Sequence, residues 1–168
     1  MMNDNEIPKP RRTKAGITYS NLGQFRVLSV ADQPPPPPLL LDAPDSVVEA
    51  WRTLVVPNPW FDPEKEHMVV FVLNTRLGLK GWNVVSVGTV NETTCHPREV
   101  LRPVLVAAGH GFVVVHNHPS GDPSPSSADR EVTNRLRDAA ALMQVRLIDH
   151  IIVGSNGRHF SFREAGMV

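Results

Sequence analysis

The chemistry of this sequence is concentrated in one segment, His116-Asn117-His118-Pro119-Ser120-Gly121-Asp122-Pro123-Ser124-Pro125-Ser126-Ser127-Ala128-Asp129. It follows Phe112–His116, an apolar run that reads as a β-strand. Side chains two apart on a strand project to the same side, so His116 and His118 can reach one cation. The chain then loops through Gly121 and enters a helix with Asp129 in its first turn. From there the Asp129 carboxylate can return to the two imidazoles. Two nitrogens and one carboxylate oxygen suit zinc, and three protein ligands leave a fourth position open to water. That is a catalytic rather than a structural arrangement. Zinc would lower the pKa of its bound water to about 7. Ser126 lies three residues before Asp129 on the same helical face, so its hydroxyl can point at the site. A general base must come from elsewhere in the chain.

The elements that must position this segment are legible around it. Ser46 followed by Glu49 is a capping-box signature, and Val47, Val48, Trp51, Leu54 and Val55 recur at helical spacing. Pro57 and Pro59 end that helix. His67–Asn74 reads as a buried strand and Trp82–Val90 as a second, the pair forming a hairpin through Gly78. Pro97 opens a helix whose face is Val100, Leu101, Val104, Leu105 and Ala108; Gly109 and Gly111 stop it. Ser126–Gln144 is a helix with Val132, Leu136, Ala139, Ala140 and Met143 on one face. Leu147–Val153 and Arg158–Phe162 are strands turning through Gly154–Gly157. The expected class is α/β, a layered fold of about 125 residues.

The chain has 168 residues, 17 Lys+Arg, 17 Asp+Glu and 41% hydrophobic residues, enough for a real core and no global charge for nucleic acid. Its single cysteine, Cys95, excludes intrachain disulfides and zinc sites with two or more thiolates. Eleven of the 16 prolines lie within residues 1–63, five of them as the run Pro34–Pro38. Residues 1–43 therefore read as a Pro-rich arm or linker, with a stiff polyproline II spacer and some strand character at Tyr19–Val30. The domain is expected to span 44–168. No apolar h-region follows the first residues and no apolar run approaches a membrane span, so a cytoplasmic protein without a membrane partner is expected. The sequon at Asn91 is then a chance match.

His116-x-His118-x7-Ser126-x-x-Asp129 resembles the zinc-metalloprotease motif of the JAMM (MPN+, JAB) family. The wording His116–Pro123, Pro97-Arg98-Glu99-Val100 and Leu147–Gly154 resembles its bacterial RadC-like branch. The resemblance runs from about Pro44 to Val168. It implies a cytidine-deaminase-like α/β fold, a mixed sheet flanked by helices, with one Zn²⁺ per chain. It further implies that His116, His118 and Asp129 are the metal ligands. Glu66, just before the first core strand, would be the catalytic acid/base, and Ser126 would support the oxyanion. Members of known activity cleave peptide or isopeptide bonds, so a protein or peptide substrate is implied. A DNA-repair or mobile-element context follows from the resemblance alone. RadC-like proteins usually carry a helix-hairpin-helix region ahead of this domain, where this sequence has the Pro-rich arm. Asn117 stands where eukaryotic deubiquitinating relatives have Ser or Thr, so ubiquitin-like specificity does not transfer.

The alternative is a DNA-repair-associated or single-stranded-DNA-binding scaffold, resting on Arg98, Arg102, Arg130, Arg135 and Arg137. Zero net charge counts against it. A base deaminase would need His-x-Glu and Pro-Cys-x-x-Cys, which one cysteine excludes. Asp149-His150 reads first as a satisfied structural pair, with support of the metal ligands as the open alternative. Cys95 is expected to be a buried, inert thiol, and Trp51, Trp60 and Trp82 to be packing residues.

Overall fold

The computed structural model describes residues 39–88 and 95–168, with the backbone of 12–13 and 16–17. The chain divides into two units, Met1–Val30 and Ala31–Val168. In the first, β1 (Arg12–Thr13) and β2 (Gly16–Ile17) pair antiparallel, Arg12 opposite Ile17. The expected polyproline run, the strand character at Tyr19–Val30, the Asn91 sequon and the last residues of the strand ending at Val90 lie outside the described residues.

The second unit is built on a mixed sheet of five strands in the order β4-β3-β5-β6-β7. These are β3 (His67–Leu73), β4 (Leu79–Val87), β5 (Gly111–Asn117), β6 (Arg146–Val153) and β7 (His159–Ser161). Only the β5–β6 pair is parallel. That crossover carries α3 (Ser127–Leu142), and α1 (Pro44–Ala50) and α2 (Pro97–Val106) complete the set. The sheet is covered on both faces. Alternation along β3 sends Val69, Phe71 and Leu73 to a cluster with Val47, Val48 and Trp51, and Met68, Val70 and Val72 to one with Val100, Val104 and Leu136. β3 and β5 are therefore buried on both sides, which is why they read as unbroken apolar runs.

Several boundaries differ from the sequence expectation. Ser46 does not cap α1. Pro44 sits at the helix start, and the Ser46 hydroxyl, now inside the first turn, donates back to the Ala43 carbonyl at 2.7 Å. A proline's fixed φ starts the helix two residues before the expected cap. α1 runs on through a π-helical turn, Trp51–Val55, that keeps Trp51 and Val55 buried. β4 begins at Leu79, not Trp82, because Leu39 and Leu41 pair with the chain there: Leu79 N–H donates to Leu39 O at 2.8 Å and Leu41 N–H to Leu77 O at 2.9 Å. On α2 and α3 the tail ends of the expected faces are open, with Leu105, Ala108 and Met143 exposed. Trp51 is buried with its ring edge on Phe61, and Trp60 packs against Trp82. Cys95 is buried, and burial pushes its thiol up to about 11, so it is inert at neutral pH.

Candidate metal centre

The sheet ends where the chemistry begins. His116 is the penultimate residue of β5 and fully buried; His118 follows the strand, its N–H donating to Val153 O at 3.0 Å. The chain turns back at once. Gly121 has φ of 79°, and its N–H donates to His118 O at 2.9 Å. A side chain there would run into Ser155 Oγ, so the turn requires glycine. Pro123 and Pro125 carry the loop to α3.

Helix α3 starts on a capping box. Asp129 N–H donates to Ser126 Oγ at 3.1 Å, and Ser126 N–H donates to Asp129 Oδ2 at 2.7 Å. The Ser126 hydroxyl also donates to Asp129 Oδ2 at 2.6 Å. This leaves Asp129 Oδ1 facing His116 Nε2 at 3.1 Å. His118 Nε2 lies 3.1 Å from His116 Nε2 and 3.6 Å from Asp129 Oδ2. One ligand atom from each of the three residues lies within 4.8 Å of the others.

The tautomers follow from the outer hydrogen bonds. His118 Nδ1 lies 2.8 Å from Asp122 O, a carbonyl that can only accept, so Nδ1 carries the proton and Nε2 the lone pair. The same assignment for His116 makes Nδ1–H donate to His150 Nε2 at 2.9 Å. His150 Nδ1–H then donates to Thr133 Oγ1 at 2.7 Å, and the Thr133 hydroxyl donates to Asp129 O at 2.6 Å. Each group has one consistent role. The bonds run from His116 through His150 and Thr133 to the Asp129 carbonyl, and the ring back to the Asp129 carboxylate is completed by the facing pair His116 Nε2 and Asp129 Oδ1. Three lone pairs thus converge on one point, an arrangement that suits a cation. Ligands at tetrahedral zinc stand about 3.3 Å apart, given Zn–N bonds near 2.05 Å. The separations here bracket that value, and the donor set fits zinc.

Charge supports the same reading. Burial alone would raise the Asp129 carboxyl, but the imidazoles of His116 and His118 beside it and the hydrogen bond from the Ser126 hydroxyl outweigh burial and hold it far below the carboxylate range. The Asp129 carboxylate raises His118 above its ordinary 6.5, against burial. Burial, with His116 beside it, drives His150 well below the usual imidazole range, so it stays neutral as the relay requires. A pH dependence follows. In the metal-free protein the His118 shift stabilises fully below its unfolded pKa, and that stability is lost as pH rises through the raised folded value. Protons and zinc also compete for Nε2. Zinc is expected to raise the melting temperature little in acid and more at alkaline pH. Thermal unfolding with and without zinc measures this; a pH-independent increment would contradict it.

Glu66 stands immediately before β3, buried, with Oε1 3.9 Å from His116 Nε2. All five residues singled out from the sequence therefore meet at one end of the sheet. Ser126 arrives with its hydroxyl committed to Asp129. Beside the centre runs a groove of about 440 Å³, lined by His118, Pro119, Phe61, Pro63 and Arg52.

Asp149-His150 is not the self-contained pair expected. Asp149 Oδ1 accepts the backbone N–H of His150 at 2.7 Å and of Arg163 at 2.9 Å, and Oδ2 accepts the Ser161 hydroxyl at 2.6 Å. The His150 ring points instead to His116 and stacks on Phe162, with centroids 4.8 Å apart. Burial raises the Asp149 carboxyl despite those bonds. Thr133 was not singled out at all; its place four residues after Asp129 on α3 was the available signal. Four of the five arginines of the alternative reading lie beside a carboxylate: Arg98 and Arg102 by Glu99 at 3.3 and 3.8 Å, Arg135 by Glu131 at 3.9 Å, and Arg137 by Asp138 at 3.3 Å.

The fold and the converging histidines and aspartate agree with a family assignment made from the whole sequence: residues 42–167 match the RadC-like JAB domain, and the chain belongs to that family. A protein of Pelodictyon phaeoclathratiforme named UPF0758 protein is 47% identical over 107 residues, which is 64% of this chain and 48% of that one. UPF0758 proteins of Thermotoga maritima and Rubrobacter xylanophilus are 48% identical over 103 residues and 37% over 155. These cover 61% and 92% of this chain, and 46% and 64% of theirs. The chain thus spans about half the length of the first of these relatives. Among the described residues no helix is long and apolar enough to cross a membrane.

Proposed function

We propose that the protein is a zinc-dependent hydrolase of peptide or isopeptide bonds. The observation that carries this is the convergence of His116 Nε2, His118 Nε2 and an Asp129 oxygen beside the buried carboxylate of Glu66. His116, His118 and Asp129 would hold the metal, and bound zinc would supply a water of lowered pKa and polarisation of the scissile carbonyl. Glu66 accepts the proton of the attacking water at its carboxylate and delivers it to the leaving amine. The Ser126 hydroxyl turns from Asp129 Oδ2 to donate to the developing oxyanion. His150 and Thr133 hold the His116 ring and its tautomer. The groove beside His118 receives the substrate chain. The mixed sheet with helices on both faces supports the cytidine-deaminase-like fold that the resemblance implies, and the single cysteine excludes the thiolates that deamination uses.

The test is metal content together with hydrolysis of peptide and isopeptide libraries, before and after chelation. About one zinc per chain is expected, with cleavage lost on chelation and restored by zinc. A protein that takes up no metal, or cleaves equally well without it, would sink the proposal.

A further inference from the structure

We infer that Asn117, the residue between the two histidines, is a positioning residue for Glu66. This rests on the hydrolase reading, in which Glu66 moves the proton. The main-chain ladder between β3 and β5 runs from Leu73–Gly111 to Met68–His116 and stops there. Glu66 therefore lies just past the last pair, where nothing in that ladder would fix it. The Asn117 side chain takes over. Its Oδ1 accepts the N–H of His67 at 2.9 Å, and its Nδ2 donates to the carbonyl of Lys65 at 2.9 Å.

Those two groups belong to the peptides on either side of Glu66. One side-chain amide thus holds both peptide planes that set the direction of the Glu66 side chain. It does so from the opposite face of the sheet: alternation along β5 places Val113, Val115 and Asn117 toward α1, and His116 toward α3. Asn117 is buried, so water competes poorly for these bonds. On the other side of β3, away from β5, Gly88 N–H donates to Glu66 O at 2.8 Å, closing the third polar group of the segment.

The chemistry explains why an amide is used. Lys65 O needs a donor and His67 N–H needs an acceptor, and a peptide-like group supplies both at one position. A Ser or Thr hydroxyl is shorter and has one proton. The residue that couples metal ligands to the acid/base is therefore placed between the ligands in sequence. A shift of β5 moves His116, His118 and Glu66 together.

The experiment compares wild type, Asn117→Ala and Asn117→Asp, with zinc alone as the probe. Three quantities are read: zinc stoichiometry, the ¹³C carboxyl resonance of Glu66, and amide exchange at His67. In the wild type, zinc loading is expected to shift the Glu66 resonance. Asn117→Ala should bind zinc at the same stoichiometry with that shift largely lost, and its His67 amide should exchange about tenfold faster or more. Against a cleaved peptide, kcat should fall roughly 10- to 100-fold with KM little changed, as for a misplaced catalytic group. Asn117→Asp keeps the acceptor for His67, so that amide should stay protected while the Glu66 shift is reduced. It also serves if the alanine variant folds poorly. An undiminished Glu66 shift in both variants, or a wild-type kcat in Asn117→Ala, overturns the inference. A wild type that cleaves nothing overturns the hydrolase reading, and the Glu66 resonance still decides the positioning.

Discussion

Glu66→Gln is expected to keep its zinc and lose hydrolysis. The side chain is the same size, and its Oε1 sits 3.9 Å from His116 Nε2, beyond direct hydrogen-bond reach. It is not one of the three converging ligand groups, so metal stoichiometry should be unchanged. An amide cannot accept and release the proton that hydrolysis moves. The expected fall in kcat is about 10²- to 10⁴-fold, the contribution of a positioned acid/base, with KM little affected. Full activity in the variant would show that another group handles the proton. Loss of zinc would show Glu66 to be a ligand. The two failures are read by different measurements, turnover and elemental analysis, so they cannot be confused.

Asp129→Ala is expected to lose two things at once. The first is the metal: removing the carboxylate takes away one of three ligands, and affinity should fall by more than the 10- to 100-fold typical of losing a ligand's supporting partner. The second is the start of α3. Asp129 Oδ2 accepts both the Ser126 N–H and its hydroxyl, and without it the capping box is half gone. A lost cap costs about 0.5–2 kcal/mol, which should appear in the metal-free protein as well. His118→Ala separates the effects, since it removes a ligand but no cap. It should abolish tight zinc binding with α3 left intact. Isothermal titration with zinc and urea unfolding of the metal-free forms measure both. Stoichiometric tight zinc in Asp129→Ala would remove it from the ligand set.

What the sequence disclosed depends on how far apart the interacting residues lie. His116, His118 and Asp129 were legible because a strand end, one loop and a helix start fix their geometry within fourteen residues. Glu66 lies fifty residues before His116, and only the resemblance to a known motif singled it out. Thr133, His150 and the side chain of Asn117 act through register. His150 reaches His116 because β5 and β6 run parallel with Val114 opposite His150, and no local pattern encodes that offset. The buried alternation of β3 and β5 was similarly hidden, since a strand covered on both faces shows no polar side. Ser46 was misread for a local reason: its pattern is that of a cap, but Pro44 two residues earlier already sets helical φ. The open ends of α2 and α3 reflect a general limit. Periodicity tells which side of a helix is apolar, not how far along its length the partner extends.

The ring that leaves Asp129 through its carboxylate and returns to its carbonyl has a fixed circumference. Three of its links are hydrogen bonds between groups that are buried or nearly so, the fourth, His116 Nε2 facing Asp129 Oδ1, is the gap that a cation would fill, and His116 and His150 are anchored in adjacent strands. An ion of larger radius at the centre must push His116 and Asp129 apart. The displacement is resisted at both ends, because His116 is anchored in β5 and the Asp129 carboxylate is held by the Ser126 N–H and hydroxyl. It strains either the strand or the first turn of α3. The centre is in effect a gauge for ionic size: it should discriminate against cadmium or calcium through the elasticity of the surrounding protein as well as through ligand chemistry.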